Sequence, residues 1–291
     1  MNDFNPPIAS VCIPTYNSQK YIGTTIQSAL SQTYQDVELI IVDDCSTDKT
    51  LDIIREFKDS RIILMENKTN LGSEKNWNKA IFQARGKYIK LLHHDDFLYP
   101  TCLEKQVSIL DDPDHQDVVL VSCSRDIIDE SGKKILKRGF KNKKGKFPGP
   151  QIIKKTLRSG TNLIGEPTSV LFRSETLNKI GRGFDGSIPY LIDLDLWCRL
   201  LLHGNIFIIH DPLCTFRISS TSWSVNIRHL QRHDFKDFIS KLYRNKDFHL
   251  TWYDSTLGKI KADINGFLRY MFYKFILKKK GKFNFNDFFN S

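Results

Sequence analysis

Apolar and polar positions along the first 130 residues switch repeatedly between two periods. Short apolar runs at Ile8–Ile13, Val37–Val42, Arg61–Met65 and Tyr88–Leu92 read as strands. The second run is broken only by Glu38, the pattern of a strand buried on both faces of a parallel sheet. Between these runs the spacing turns helical. Tyr21–Ser31 carries Tyr21, Ile22, Ile26, Ala29 and Leu30 on one side, Thr50–Phe57 follows Asp48 as a cap, and Ser73–Ala84 is a third helix. A fourth starts near Thr101, and Val118–Cys123 is a further strand. This βαβ alternation predicts an α/β fold with a doubly wound, mostly parallel sheet.

The pattern breaks at residues 131–150. Eight basic residues fall within 133–146, interleaved with glycines. A hairpin tip or mobile loop is expected there, as a solvated charge run. Order resumes with a strand at Thr168–Phe172, a helix at Ser174–Ile180, a loop at Gly181–Gly186, a helix at Leu194–Leu202 and a strand at Ile206–Ile209. From Asn226 onward the chain reads as helical, aromatic and basic.

Composition bounds the partners. With 291 residues and 40% hydrophobic positions, a sizeable core is expected. No apolar run reaches the ~18–20 residues of a membrane span, and the polar, short start at Met1–Pro7 shows no signal peptide. These features predict a cytoplasmic protein. The six cysteines are scattered, with no Cys-x-x-Cys pair, and read as small buried hydrophobes in a reducing compartment. Charge is split along the chain. Residues 1–132 hold 13 Lys+Arg against 21 Asp+Glu, a net of −8, whereas residues 133–291 hold 30 against 12, a net of +18. The basic half suits a phosphate-rich partner: anionic lipid, a pyrophosphate-linked acceptor or nucleic acid. No nucleic-acid-binding motif accompanies the charge, so nucleic acid ranks last.

Candidate chemistry sits at the ends of the expected strands, where open α/β sheets bind ligands. The Tyr88–Leu92 run ends in His93, His94, Asp95 and Asp96. A carboxylate there can hold a divalent cation, which in turn can hold a diphosphate. The alternative is that Asp95 and Asp96 cap the helix near Thr101. The first strand ends in Pro14-Thr15-Tyr16-Asn17 and the second in Asp43-Asp44-Cys45-Ser46. Tyr16 offers a stacking face for a base, and Asp44 could accept the imide N–H of a uracil or thymine. Asp43 is expected to be structural, in a turn.

The segments VCIPTYNSQKYIGTTIQSALSQTYQDVELIIVDDCSTDKT, NLGSEKNWNKA and GKYIKLLHHDD, in this order over residues 9 to about 110, together resemble family-2 glycosyltransferases of the nucleotide-diphospho-sugar transferase (GT-A) fold. The resemblance implies a UDP-type sugar donor, a divalent cation (Mg²⁺ or Mn²⁺), and inverting transfer of the sugar to a glycan or lipid-linked acceptor in surface polysaccharide biosynthesis. It places donor contacts at Pro14, Tyr16, Asn17, Asp44, Gly72, His94, Asp95 and Arg217, with Asp95 the metal ligand. The usual metal motif is Asp-x-Asp. Here His93 holds its first position, which weakens attraction for a hard cation and shifts preference toward Mn²⁺. In the family's Glu-Asp pair before a Leu-Trp-x-Arg helix, this chain has Ile192-Asp193, so Asp193 is the expected general base. Asp195 is its rival, and both could instead be helix-starting residues. Glu166, in Gly165-Glu166-Pro167-Thr168-Ser169, borders the expected acceptor site. Arg217 falls at the Arg of an Arg-x-His motif, but Ser219 replaces the His. His210 could substitute as a ligand or be structural. Trp197 and Leu200 are expected in the core.

The resemblance divides the chain at residues 1–222, the catalytic domain, and 223–291, a basic aromatic helical extension. Within the former, 1–130 is the nucleotide-binding half and 150–222 the acceptor half. In the extension, Ile260, Ile264, Phe267, Leu268, Met271, Phe272, Phe275 and Ile276 recur at helical spacing, followed by a lysine cluster at 274–282. Two uses are open: packing on the catalytic domain, or lying peripherally on an anionic membrane surface. The rival function is a non-catalytic nucleotide-sugar-binding protein, argued from His93 and Ser219.

Overall fold

The computed structural model describes residues 7–140, 143–219 and 230–278. Its first part follows the expected alternation: β1 (Ala9–Thr15), α1 (Ile22–Leu30), β2 (Val37–Asp43), α2 (Thr50–Glu56), β3 (Ile62–Glu66), α3 (Ser73–Phe82), β4 (Tyr88–Leu91) and α4 (Cys102–Asp111). Then come β5 (Val118–Ile128), β6 (Lys134–Arg138), β7 (Gly145–Pro148), α5 (Gly149–Ser159), β8 (Val170–Arg173), α6 (Ser174–Ile180), α7 (Ile192–Leu201) and β9 (Asn205–Arg217). Two helices close the described chain, α8 (Gln231–Arg244) and α9 (Trp252–Lys278).

One sheet runs in the order β3-β2-β1-β4-β8-β5-β9-β7, with β6 paired to β5. The strands β3, β2, β1 and β4 are mutually parallel, and β9 is parallel to β5. Strand β8 enters between β4 and β5 antiparallel to both, while β6 and β7 are antiparallel edge additions. The fold is thus doubly wound α/β with a helical C-terminal part, and its strand order reverses between β1 and β4. That reversal opens the crevice where such sheets bind ligands.

The unbroken apolar strands explain the two cores. In β2, Leu39 and Ile41 meet α1, α2 and α4, whereas Ile40 and Val42 join a second cluster with α3, α5 and α7. The single polar residue in that run is fully used: Glu38 accepts from Ser10 Oγ (2.6 Å), Arg85 N (2.8 Å) and Arg85 Nε (2.8 Å). Helices α8 and α9 contribute Phe235, Phe238, Ile239, Leu242 and Ala262 to the second cluster, so they share a core with the helices α3, α5 and α7.

The basic stretch at 131–150 is more ordered than a mobile loop. A hairpin does form, turning at Asp129–Lys133 between β5 and β6, but β7 and the start of α5 follow within the same stretch. Lys134, Lys137, Arg138 and Lys146 sit on the edge strands β6 and β7, where charge discourages pairing with another chain. Helix α5 had a legible signature, Pro150 in its first turn and Gly160 in the left-handed conformation after its end. Strand β9 extends eight residues beyond Ile209, through a register shift between Ile209 and Pro212. The cysteines are free, five of them buried and Cys45 half-buried. Residues 220–229 and 279–291, which include part of the expected helical tail and most of its lysine cluster, lie outside the described residues.

Candidate active site

The crevice is built by tying strand ends to one another. After β1, Asn17 adopts a left-handed conformation (φ 46°), its N–H donates to Ser46 Oγ (2.9 Å), and its Oδ1 accepts from Thr47 N (2.8 Å). Pro14 is buried in β1 beside Val42, and Tyr16 stands exposed at the rim, free to stack. Asp43 accepts from Ser46 N (2.9 Å) and Ser46 Oγ (2.5 Å), the expected turn role. Asp44 is equally committed. Its buried carboxylate accepts from Asn67 Nδ2 (2.8 Å), Leu71 N (2.8 Å) and Gly72 N (2.9 Å). Those bonds hold the loop that enters α3, where Gly72 has φ 80°. A carboxylate has about four acceptor sites, so roughly one is left for a base.

The β4 end does not cap a helix. Helix α4 begins after Thr101, with no side-chain cap, so the capping alternative for Asp95 and Asp96 fails. Asp96 is instead the buried joint of the site. Its Oδ1 accepts from Arg217 N (2.8 Å) and its Oδ2 from Thr168 Oγ1 (2.9 Å), linking β4, β8's approach and β9. Burial, with Asp95 beside it, pushes its carboxyl well above the usual range. Its importance was not marked in the sequence beyond its place in an Asp-Asp pair.

His93, Asp95 and Asp96 each offer a ligand atom, all within 4.8 Å of one another. Burial pushes the His93 imidazole down to about 4, so it is neutral, and its ring lies 4.9 Å from that of Trp77. His93 Nε2 is buried without a hydrogen-bond partner. A neutral imidazole with an open nitrogen beside a half-buried carboxylate fits a borderline cation such as Mn²⁺ better than Mg²⁺. His94 is also held neutral-leaning by burial, and its carbonyl accepts from Thr25 Oγ1 (2.9 Å).

Most of the Arg217 guanidinium is engaged within the protein. Nε donates to the Asp95 carbonyl (2.7 Å), Nη1 to the carbonyls of Asp129 (3.0 Å) and Glu130 (3.3 Å), and the guanidinium lies over the Tyr21 ring at 4.3 Å. It clamps the metal-side loop to the β5–β6 turn, leaving only its Nη2 edge for a diphosphate. His210 is exposed on β9.

On the acceptor side, Asp193 opens α7. Its Oδ1 accepts from Leu194 N (2.7 Å) and its Oδ2 from Asn162 Nδ2 (3.0 Å). Burial first, and then the charge of Glu166, push its carboxyl up to about 7. A helix N-terminus would favour the ionised form, so burial outweighs it here. Glu166 forms an ion pair with the fully buried Arg125. Burial opposes its charge, but Arg125 and then Arg138 hold its carboxyl below the usual range. Glu166 also acts electrostatically on His93 and Asp96, so the polar cluster at the end of β4 and the start of α7 share a charged neighbour. The sequence did not reveal Arg125 or Asn162, each a polar residue in an otherwise unremarkable context.

Asp195, expected on the acceptor side, points elsewhere. Its carboxylate pairs with Arg199 Nε (2.7 Å) and Lys241 Nζ (3.1 Å), and so pins α7 to α8. Trp197 is core, as expected, with Nε1 donating to the Gly165 carbonyl (3.0 Å).

The sequence profile described as "Glycosyl transferase family 2" matches residues 10–181, spanning the donor side and the entry to the acceptor side. The chain belongs to glycosyltransferase family 2. An uncharacterized glycosyltransferase of Rickettsia typhi is 31% identical over 250 residues, covering 82% of this chain and 74% of its own length. An Escherichia coli UDP-Glc:alpha-D-GlcNAc-diphosphoundecaprenol beta-1,3-glucosyltransferase is 42% identical over 104 residues, 36% of this chain and 41% of its own. Among solved structures, Staphylococcus aureus TarS 1–349 in complex with UDP-GlcNAc superposes with a TM-score of 0.67 at 20% identity, covering 97% of this chain and 78% of that one. A Pyrobaculum calidifontis mannosyltransferase in complex with GDP-Man and Mn²⁺ gives 0.58 at 18% identity, covering 96% and 77%. These likenesses show the GT-A fold.

Proposed function

We propose that this glycosyltransferase moves a sugar, with inversion, from a nucleotide-diphospho-sugar of UDP type to a glycan or lipid-linked acceptor in surface polysaccharide biosynthesis. The observation that carries the reading is Asp193. It is a buried carboxyl with a pKa near 7, at the mouth of α7 and in electrostatic reach of the group that also faces the metal-side cluster. A general base works best with a pKa close to the operating pH. The non-catalytic alternative leaves this carboxyl without a purpose.

In the proposed reaction, Asp193 Oδ2 takes the proton of the acceptor hydroxyl. The acceptor oxygen forms its bond to the anomeric carbon as the bond to the diphosphate oxygen breaks on the opposite face, and the nucleoside diphosphate leaves with the electron pair. Asn162 and the Leu194 N–H hold the carboxylate so that its free lone pairs face the acceptor. Tyr16 stacks on the base, and Asp44, through the acceptor site its loop bonds leave, takes the imide N–H. A divalent cation, when bound by Asp95 with His93 and Asp96, would neutralise charge on the diphosphate. The E. coli relative's lipid-linked acceptor supports a lipid-linked acceptor here, which would bring this chain to an anionic membrane surface from the cytoplasmic side.

Titration calorimetry with a panel of UDP-, GDP- and dTDP-sugars, with and without Mn²⁺, tests the donor class. Tightest binding of a UDP-sugar, dependent on Mn²⁺, is expected. Equal affinity across the nucleotides, or binding indifferent to metal, would contradict it.

A further inference from the structure

Helix α9 packs with an unusual side inward. Among its residues whose side chains are described, the buried positions are Asp254, Ser255, Gly258 and Ala262, and Asn265 donates to the carbonyls of Ser159 (2.7 Å) and Gly160 (3.1 Å). At Gly258 the backbone of α5 approaches so closely that a Cβ would stand 2.6 Å from the Leu157 carbonyl oxygen. Small and polar residues therefore make the contact. The apolar residues face the other way. With ~100° between successive residues of a helix, Ile260, Ile264, Phe267 and Leu268 gather opposite the packed side. Each is more than half exposed, at 54%, 52%, 51% and 58%.

Beside this stripe, α5 and α9 flank an open groove of about 540 Å³ whose charged lining is Lys154, Lys155, Arg158 and Lys261, with Leu257 at its border with the stripe. Arg158 pairs with Asp254. Among the described residues, Lys154, Lys155 and Lys261 have no carboxylate partner. Burial, and then the nearby Lys143, push the Lys155 ammonium below its usual range. The acidic residue that could have answered them on α9, Asp263, is taken by Arg232 and Lys236 of α8.

Uncompensated cations flanking an outward apolar stripe are the two components of interfacial binding, and charge continues along the chain in Lys278, Lys279, Lys280 and Lys282. No helix among the described residues is long and apolar enough to cross a membrane. We propose that the α5–α9 face is a docking site for an anionic lipid bilayer. Lipid phosphate would enter the groove of Lys154, Lys155, Arg158 and Lys261, and Ile260, Ile264, Phe267 and Leu268 would lie in the interface. The attachment serves the lipid-linked acceptor of the proposed function, while its test reads binding alone.

The full chain is floated with vesicles of phosphatidylcholine, with and without phosphatidylglycerol, at low salt. Two variants accompany it, Lys154→Glu/Lys155→Glu/Lys261→Glu and Ile264→Ser/Leu268→Ser. The wild type should bind only the anionic vesicles, and each variant should lose at least about tenfold in partitioning. Both variants should keep wild-type affinity for UDP with Mn²⁺, which shows that they are folded. Millimolar inorganic phosphate at matched ionic strength should not displace the protein. Absent wild-type binding, equal binding to neutral vesicles, undiminished binding of the charge-reversed variant, or release by inorganic phosphate would each overturn the proposal, the last by making the groove a free-anion site.

Discussion

Replacing Asp193 by Asn should cost activity and yet stabilise the protein at alkaline pH. The folded-state pKa of Asp193, about 7, lies some three units above the ordinary 3.8. The folded chain therefore holds a proton that the unfolded chain has released between about pH 4 and 7, and wild-type stability falls as pH rises through that window. Of the roughly three units, two lie above pH 5. At ~1.36 kcal/mol per unit, the ionised carboxylate costs about 3 kcal/mol more at pH 8.5 than at pH 5. Asn escapes this cost. It keeps the acceptor for Leu194 N, but it sets one amide against the Asn162 amide, a loss of ~1–2 kcal/mol at every pH. The variant should therefore be about as stable as the wild type, or less so, at pH 5, and more stable at pH 8.5. Chemical denaturation of both proteins at the two pH values reads the difference directly, and acceptor-dependent nucleotide release should fall by roughly 10²–10⁴. A stability difference that does not change with pH would refute the assignment of a buried, high-pKa carboxyl at this position.

Other consequences are equally open to measurement. Glu166→Gln removes the charge that supports the high pKa of Asp193 and leaves Arg125 to lower it further, so the acid limb of kcat/KM should move down by about one pH unit; an unmoved limb would separate Glu166 from the base. Asp95→Asn should weaken Mn²⁺-dependent UDP binding by about tenfold or more in calorimetry, ~1.4 kcal/mol, and no change would remove Asp95 as metal ligand. Asp195→Asn, which unpairs Arg199 and Lys241, should lower the unfolding midpoint while leaving kcat within about threefold; loss of transfer with stability intact would restore it as the base.

The first 110 residues were largely legible because β1, β2 and β4 are buried on both faces and end in polar residues, so that apolar runs marked the elements and their polar ends. Elements after Ile128 were harder. Helix α5 hid behind a lysine-rich stretch whose charge belongs in part to edge strands, and β9 runs through a register shift that interrupts its apolar run. Site residues divided on the same principle. Asp95 and Asp193 stand at element ends with few competing partners. Arg217 and Asp195 carry the expected charge, but their pairing with distant carbonyls and with α8 depends on tertiary contacts that no local pattern records. Asn162 and Arg125 escaped notice for the same reason, and Asp96 was noticed only as a possible helix cap. The outward stripe of α9 was visible as periodicity, whereas which side it turned to the protein was not, since amphipathicity alone does not distinguish a core from a bilayer.

Sugar transfer from a nucleotide-bound donor with Asp193 as the base is tested most directly by UDP release by the wild type and by Asp193→Asn, with a UDP-sugar, Mn²⁺ and a sugar-diphospho-lipid acceptor, alongside donor affinity for both. Acceptor-dependent release by the wild type, its loss in the variant, and equal donor affinity in the two are expected. Undiminished release by Asp193→Asn, or donor binding without turnover in the wild type across the acceptors tried, would contradict this reading.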